Sequence, residues 1–590
     1  MRRERGDIGR DAPLAPIAEH VWRTRYRCTE ESNQDQAIGA TWHRVARAAA
    51  ALESEPSVWA TRFEAVLAEL KFLPGGRILA GAGTMRAVTL ANCFVMGPIE
   101  DSIAGIFETL KEAAVTLQHG GGVGFDLSSL RPRGTLARSN GTQAAGPVAF
   151  LPVFDAVCAT LATRGPRGGA MMATLSCAHP DVGAFIRAKL LPGALPHFNL
   201  SVQITNDFMR AVTDDTAWPL RFQGEAPAAT HETLRARALW QDICAAAHAS
   251  AEPGVLFVDR INALNNLAYR ETLTATNPCG EAPLPPYGAC HLGSLNLPRF
   301  VVRPFTADAT LDLASLADVA RTASRFLDNV IDISRYPLRR QAERARASRR
   351  IGLGVTGLGD MLAMLSLHYD SDAARMTAAN ALRIIRDAAY EASIELARER
   401  GAFPELDVLR HLERPFIASL PSRLQDALRL GGIRNSHLLA IAPAGAISLL
   451  AGNVSSGIEP IAALSGVRKV ADSSADVHSL RLDDYAYQLW EQKFGDTQPL
   501  PATFVTANQV TGDAQLAMQA ALQSYVDGAV SKTIVLPRDA TAHDIDRLFR
   551  RAFDLGVKGC TVYRAGSRPD VLGVDASDCV AATCAPRAAA

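Results

Sequence analysis

Apolar residues recur at three- and four-residue spacing between about 35 and 72: Trp42, Val45, Ala46 and Ala49, then Trp59, Phe63, Val66, Leu67 and Leu70. That period lines up one stripe of a helix, so the spacing predicts a small helical region within residues 1–75. From about 75 to 565 the pattern changes. Short apolar runs such as Gly254 to Val258 alternate with longer helical patterns such as 312–333 and 374–400. Alternation of this kind predicts an α/β architecture with largely parallel strands over residues 76–565. Neither end joins in: residues 1 to about 15, rich in charge and proline, read as a leader, and residues 566–590, small and aperiodic, as a flexible tail. No internal repeat is visible.

Composition narrows the function classes. The 590 residues are 48% apolar and 21% charged, enough for a large globular core. Sixty-one basic and sixty-one acidic side chains cancel, which argues against the broad basic surface that nucleic-acid binding needs. The basic start is followed by no apolar signal-peptide core, and the run from Leu438 to Asn453 is broken by Pro443 and glycines and is too short for a bilayer. No membrane role is expected. Ten cysteines are too sparse and irregular for a secreted disulfide framework, so reduced thiols in a cytoplasmic protein are the reading.

The densest chemistry sits in Asn277-Pro278-Cys279-Gly280-Glu281. If this segment is extended, side chains at i, i+2 and i+4 share a face, and an amide, a thiol and a carboxylate point into one pocket. Taken alone, Asn-Pro-Cys-Gly reads first as a turn around a buried structural thiol, and only the flanking motifs reverse that preference. Two further cysteines lie in Ala91-Asn92-Cys93-Phe94-Val95 and Ala289-Cys290-His291. Together the three thiols suggest radical chemistry coupled to a two-electron reduction.

From about residue 70 onward the chain carries, in order, FLPGGRILAGAGT, ANCFV, GGGVGFDLSSLRPRG, RGGAMMATL, FNLSV, NPCGE, CHLGSLNL, SGIEPI, YVDGAVSKT and TVYRAGSR. Through these motifs it resembles the large catalytic chain of ribonucleotide reductases, within them the adenosylcobalamin-dependent class II enzymes. The resemblance implies a ten-stranded α/β barrel whose central finger loop carries the radical cysteine, preceded here by the helical region, with no room for the further N-terminal ATP- or dATP-binding module of some members. It implies Cys279 as the thiyl radical that abstracts the ribose 3′-hydrogen, chemistry that a cofactor-generated sulfur radical can do and acid–base side chains cannot. Glu281 would be the general base on the 3′-hydroxyl, Asn277 the group that orients the ribose hydroxyls, and Cys93 with Cys290 the pair that becomes a disulfide. Cys28, Cys158, Cys177, Cys244 and Cys560 read as small buried hydrophobes.

In the tail, Cys579 and Cys584 would re-reduce that disulfide by thiol exchange and receive electrons from a thioredoxin or glutaredoxin-like protein; an incidental pair or part of a metal site is the other reading, although structural zinc would want four ligands. No metal ligand set is expected. The segment Pro443-Ala444-Gly445-Ala446-Ile447-Ser448 matches the family's cradle for the substrate diphosphate at a helix N-terminus, with Asn92 as a further substrate contact. Here alanines replace the usual threonines at 444 and 446, so hydroxyl donors are lost while backbone donors remain; the plain alternative is a helix start in the core. The glycine-rich stretch 120–124 is by itself a weak phosphate signal. Resemblance places the effector region there, with Asp101, Arg131 and Arg138 as contacts for dNTP or ATP and Arg167 in the loop that relays effector identity.

The class follows from a departure. Members that import a radical from a metal-containing subunit use two adjacent tyrosines near the barrel's end, whereas this chain has Tyr563-Arg564. A cofactor bound directly beside Cys279, adenosylcobalamin, is therefore expected, although Asp476-Val477-His478-Ser479-Leu480-Arg481 lacks the final glycine of the Asp-x-His-x-x-Gly cobalamin motif and no ligand to it is visible. The expected activity is reduction of ribonucleoside diphosphates, with triphosphates left open, by a homodimer. A metal-subunit-dependent large chain and a catalytically lost nucleotide sensor are the alternatives.

Overall fold

The structure, a computed structural model, describes residues 14–30, 34–136, 141–162, 169–222, 230–471 and 477–568. Helices α1 (Ile38–Ala50) and α2 (Pro56–Ala68) form where the N-terminal spacing places them. α1 buries Trp42, Val45, Ala46 and Ala49; α2 starts on Pro56, whose missing N–H costs nothing at a first turn, and buries Phe63 and Leu67. Residues 16–26 add a helical stretch that the spacing did not announce, with Ile17, Val21, Trp22 and Tyr26 buried. The larger helices are α3 (Ile103–Gln118), α4 (Leu151–Ala162), α5 (Leu313–Ile333) and α6 (Asp372–Arg400), with a short α7 at Gly445–Leu450. α5 and α6 begin on Asp312 and Ser371, whose side chains accept from the amides of Ser315 and Ala374, capping donors that no carbonyl could reach. The N-terminal helices share one apolar core with α5 and α6.

A ten-stranded sheet carries the rest. Its strands are β1 (Phe72–Pro74), β2 (Cys93–Val95), β3 (Gly122–Asp126), β4 (Met171–Ser176), β5 (Phe198–Ile204) and β6 (Gly254–Phe257), then, beyond a hairpin made of β7 (Ala275–Thr276) and β8 (Pro283–Leu284), β9 (Ala289–Asn296), β10 (Ile351–Thr356), β11 (Thr533–Leu536) and β12 (Gly559–Arg564). β2 to β6 pair in order, all parallel. β9 runs parallel to β10, and β11 to β12. The two sets meet antiparallel, with Cys290 opposite Cys93 at one junction and Cys560 opposite Val255 at the other. Parallel bridges Leu353↔Leu439 and Ile441↔Val530 link β10 to the residues just before β11, so the hydrogen-bonded path returns to its start. β1 lies antiparallel on β9, outside this circuit.

Strand periodicity sorts the two faces of this wall. Phe198, Leu200, Val202 and Ile204 of β5 belong to the core under the outer helices, while Asn199, Ser201 and Gln203 alternate onto the other face. The β7–β8 hairpin lies against that other face. Thr174 Oγ1 and Gln203 Nε2 donate to the Thr274 carbonyl at 3.0 and 2.8 Å. Two glycines make the approach possible: a Cβ at Gly124 would stand 2.0 Å from the Thr276 carbonyl oxygen, and one at Gly122 would stand 3.1 Å from Cγ of Pro278. The glycine-rich stretch thus serves backbone-to-backbone packing of the hairpin, a use that a phosphate-loop reading does not anticipate. A small apolar cluster of Val95, Ala275, Ala282, Leu284, Cys290, Leu292 and Ala440 surrounds the hairpin stem. Among the described residues no helix is long and apolar enough to cross a membrane.

Candidate active site

Asn277 to Glu281 is the tip of the β7–β8 hairpin, a turn rather than the extended segment that the i, i+2, i+4 argument assumes. The Gly280 amide donates to the Asn277 carbonyl at 3.1 Å and the Asn277 amide to the Ala282 carbonyl at 3.3 Å. Gly280 has φ +84°, a conformation that side-chain-bearing residues adopt at a cost. The Asn277 side chain closes the turn from within, its Oδ1 accepting the Ala282 amide at 2.9 Å. Opposite the β3–β5 wall, the Ala529 amide donates to the Glu281 carbonyl at 2.8 Å.

Two of the thiols face each other beside the tip. Cys93 and Cys290 are direct partners across the antiparallel junction of β2 and β9, so their side chains leave the sheet on one side. Nδ2 of Asn277 lies 3.4 Å from the Cys93 sulfur. Burial, then the nearby Glu281 carboxylate and the Cys93 sulfur, hold the Cys290 thiol well above the usual thiol range, so it is a proton-bearing thiol at neutral pH. Burial lifts Glu281 to about 7, with the hydrogen bond from Asn277 opposing the shift. Its Oε2 is buried and makes no hydrogen bond among the described residues, as a base awaiting a substrate proton would be. Asn277 and Glu281 are buried, whereas Cys279 keeps partial exposure. Beside it, a Cβ on Gly280 would meet nothing within 4 Å. The remaining described cysteines, Cys28, Cys158, Cys177, Cys244 and Cys560, are buried; desolvation pushes Cys158, Cys177 and Cys560 up to about 12.

The segment 443–448 forms the start of α7. Ala444 takes the left-handed conformation (φ 57°) as N-cap, and the first intrahelical bond is Ser448 N–H to the Ala444 carbonyl at 2.9 Å. The amides of Gly445, Ala446 and Ile447 therefore have no carbonyl of their own helix to reach. Gly445 is exposed with open space beside it, while Ala446 and Ile447 are part of the apolar core. The alanine at 446 is a packing residue, and backbone donors are what the segment offers. Ser448 Oγ is turned inward, donating to the Gly445 carbonyl at 2.8 Å. Asn92 packs its amide against Gly75, where a Cβ would stand 2.3 Å from Oδ1, and that oxygen is buried without a hydrogen-bond partner among the described residues.

Asp101 and Arg131 meet in a partly exposed ion pair of 2.7 Å, reinforced by the Arg131 amide on Oδ1 at 3.0 Å. Arg138, Arg167, Cys579, Cys584 and Asp476 lie outside the described residues. At the end of β12, Arg564 donates to the carbonyls of His248 and Arg538 at 3.1 Å each; the side chain that follows Tyr563 ties the last turn of the helix Ala236–Ser250 to the segment after β11. Sequence reading did not single out Thr174, Gln203 or Ala529, although alternation along MMATL and FNLSV would have placed the first two on one face.

Residues 91–563 match the family described as ribonucleotide reductase, barrel domain, and residues 13–87 match ribonucleotide reductase, all-alpha domain. The chain is 40% identical to a vitamin B12-dependent ribonucleoside-diphosphate reductase of Mycobacterium tuberculosis (strain CDC 1551 / Oshkosh), covering 94% of this chain and 80% of that protein. A protein of the same description from Thermoplasma acidophilum is 36% identical, over 94% of this chain and 71% of its own length. A ribonucleoside-diphosphate reductase large subunit of variola virus is 28% identical over 71% of this chain and 59% of its own.

Proposed function

The chain belongs to the ribonucleotide reductase family, and on that premise we propose that it reduces ribonucleoside diphosphates to 2′-deoxyribonucleoside diphosphates with adenosylcobalamin as radical source. The observation that carries the reading is the meeting, at one hairpin tip, of Cys279 and Glu281 with the cross-strand pair Cys93 and Cys290 through Asn277.

The order of events follows from the groups in place. Cys279, once a thiyl radical, takes the hydrogen from C3′ of the ribose. Glu281, ionised above about pH 7, accepts the 3′-hydroxyl proton, and Asn277 holds the ribose hydroxyls while keeping its hydrogen bond to Cys93. Loss of the 2′-hydroxyl as water needs a proton, and a buried, protonated Cys290 thiol carries one. With that proton spent, Cys93 and Cys290 supply two electrons and the one remaining thiol hydrogen to C2′ and join as a disulfide; Glu281 returns its proton to the 3′-oxygen and Cys279 returns the hydrogen to C3′. The balance is one ribonucleotide and two thiols to one deoxyribonucleotide, one disulfide and one water.

Adenosylcobalamin supplies, when bound, the homolytic chemistry that makes the thiyl radical. The site fits such a group in one respect that can be read from the chain: the partly exposed sulfur of Cys279 and the open space beside Gly280 leave the tip approachable, and these two residues would face it. Tyr563-Arg564, with the arginine committed to two carbonyls, supports this source over a tyrosine pair relaying a radical from another subunit.

The finer parts of the reading are supported as follows. The amides at the start of α7, which no carbonyl of that helix reaches, suit a substrate diphosphate. Asp101 and Arg131, with Arg138 and Arg167, are proposed contacts of a dNTP or ATP effector. Exposed Ile103 and Phe107 on α3 and Val153 on α4, flanking an apolar groove lined by Ala114, Ala156 and Val157, support a homodimer through these helices. Cys579 and Cys584 would pass electrons from a thioredoxin-like donor in the cytoplasm. The test is CDP reduction with dithiothreitol, with and without adenosylcobalamin: activity only with the cobalamin supports the proposal, and activity only after adding a metal-loaded partner subunit overturns the radical source.

A further inference from the structure

The hairpin tip is fastened to the wall of the sheet just ahead of its cysteine. Nδ2 of Asn199, on the β5 face that looks away from the outer helices, donates to the Pro278 carbonyl at 2.7 Å. The Pro278 ring rests on Gly122, and the carbonyl held by Asn199 belongs to the peptide that joins Pro278 to Cys279. On the far side of the tip, Gly280 sits in a left-handed turn with no atom near its α-carbon's free side, so packing does not fix the chain there. Beyond it comes the Ala529 amide on the Glu281 carbonyl. Cys279 is thus slung between a hydrogen bond from each half of the sheet, and Asn199 supplies one on the peptide that leads into it. Rotation of the Pro278–Cys279 peptide plane would swing the sulfur relative to Glu281, Cys93 and the ribose.

We propose that Asn199 is a positioning residue for the radical cysteine: its carboxamide fixes the Pro278–Cys279 peptide and so aims the Cys279 sulfur. The proposal rests on the reading of Cys279 as the thiyl site. It assigns a task to the FNLSV motif. Phe198, Leu200 and Val202 serve the outer core; on the other face Gln203, just after the motif, holds the hairpin stem at the Thr274 carbonyl and Asn199 holds the tip. A misplacement of about 1 Å at a reacting atom is enough to cost on the order of 100-fold in rate.

The experiment compares wild type with Asn199→Leu, which keeps the branched shape and removes the donor, and Asn199→Ala, which removes the donor without adding bulk. Two readouts are taken: CDP reduction with adenosylcobalamin and dithiothreitol, and the rate at which iodoacetamide alkylates Cys279 in the cofactor-free protein, followed by peptide mass spectrometry. Both variants are expected to lose about 10- to 100-fold in kcat with KM within about twofold, and to alkylate at Cys279 several-fold faster, while thermal melting shows a folded protein. Wild-type kcat and wild-type alkylation in Asn199→Leu would overturn the proposal, as would a loss confined to KM. If wild type itself fails to reduce CDP with the cobalamin, the radical reading fails; the alkylation rates still decide whether Asn199 orders the tip.

Discussion

At the residue scale the site turns on one buried carboxylate. Burial raises Glu281 from 4.5 to about 7, which has two measurable consequences. As a base it must be ionised, so kcat should climb with pH through about 7 and level above it; a profile flat from pH 5.5 to 8 would remove Glu281 from the proton transfer. The same shift affects stability with the opposite sign to a paired carboxylate. Below about pH 4.5 the group is protonated folded or unfolded and costs nothing. Between 4.5 and 7 the unfolded chain releases the proton first, and above 7 the folded state carries the full cost of a buried charge. Glu281→Gln should therefore lose about 10²- to 10⁴-fold in kcat while melting higher than wild type at pH 8, by the equivalent of about 1–3 kcal/mol, with that gain shrinking toward pH 5. These site residues were legible because NPCGE, ANCFV and CHLGSLNL carry them. The Asn277–Cys93 contact joins residues 184 positions apart, and no local pattern announces it.

At the scale of elements, the hairpin is held by what the wall lacks as much as by what it carries. Gly124→Ala would drive a methyl group into the Thr276 carbonyl, 2.0 Å away. The backbone must shift, and we expect a loss of about 1–3 kcal/mol in stability with a larger fractional loss of activity, measured by denaturant unfolding and the CDP assay in parallel. A variant with unchanged activity would mean that the stem tolerates displacement. The helical patterns at 38–50, 313–333 and 372–400 were readable because burial there follows the 3.6-residue period, and the strand at 254–257 because it is a short apolar run, buried at every position. The tip was not: Asn, Pro and Gly set a turn whose geometry depends on Asn277 capping Ala282, so the convergence of amide, thiol and carboxylate survives while the extended strand invoked for it does not. The glycines of 120–124 were visible as glycines, but what they approach lies about 150 residues further along the chain.

At the scale of the molecule, two antiparallel junctions and two single bridges bring the sheet back on itself. The alternation of strands and helices foretold the class, while the return path through Leu439, Ile441 and Val530 rests on isolated pairs too short to leave a period in the sequence. Electron supply belongs to this scale as well. If Cys579 and Cys584 carry electrons to the Cys93–Cys290 pair, replacing both by serine should stop thioredoxin-driven turnover after about one round yet leave turnover with dithiothreitol largely intact, since a small dithiol reaches a buried disulfide that a protein donor cannot. Equal loss with both reductants would make the tail structural.

The central claim is that Cys279, at the tip of a hairpin gripped by the sheet, holds the radical without help from a second subunit. Electron paramagnetic resonance of protein mixed anaerobically with adenosylcobalamin, nucleotide and reductant, then rapidly frozen, tests it most directly. The account predicts a cobalt(II) signal coupled to a thiyl radical in the wild type and no coupled signal in Cys279→Ser, which should also form no deoxynucleotide. A coupled signal that persists in Cys279→Ser, or deoxynucleotide made by that variant, would contradict it.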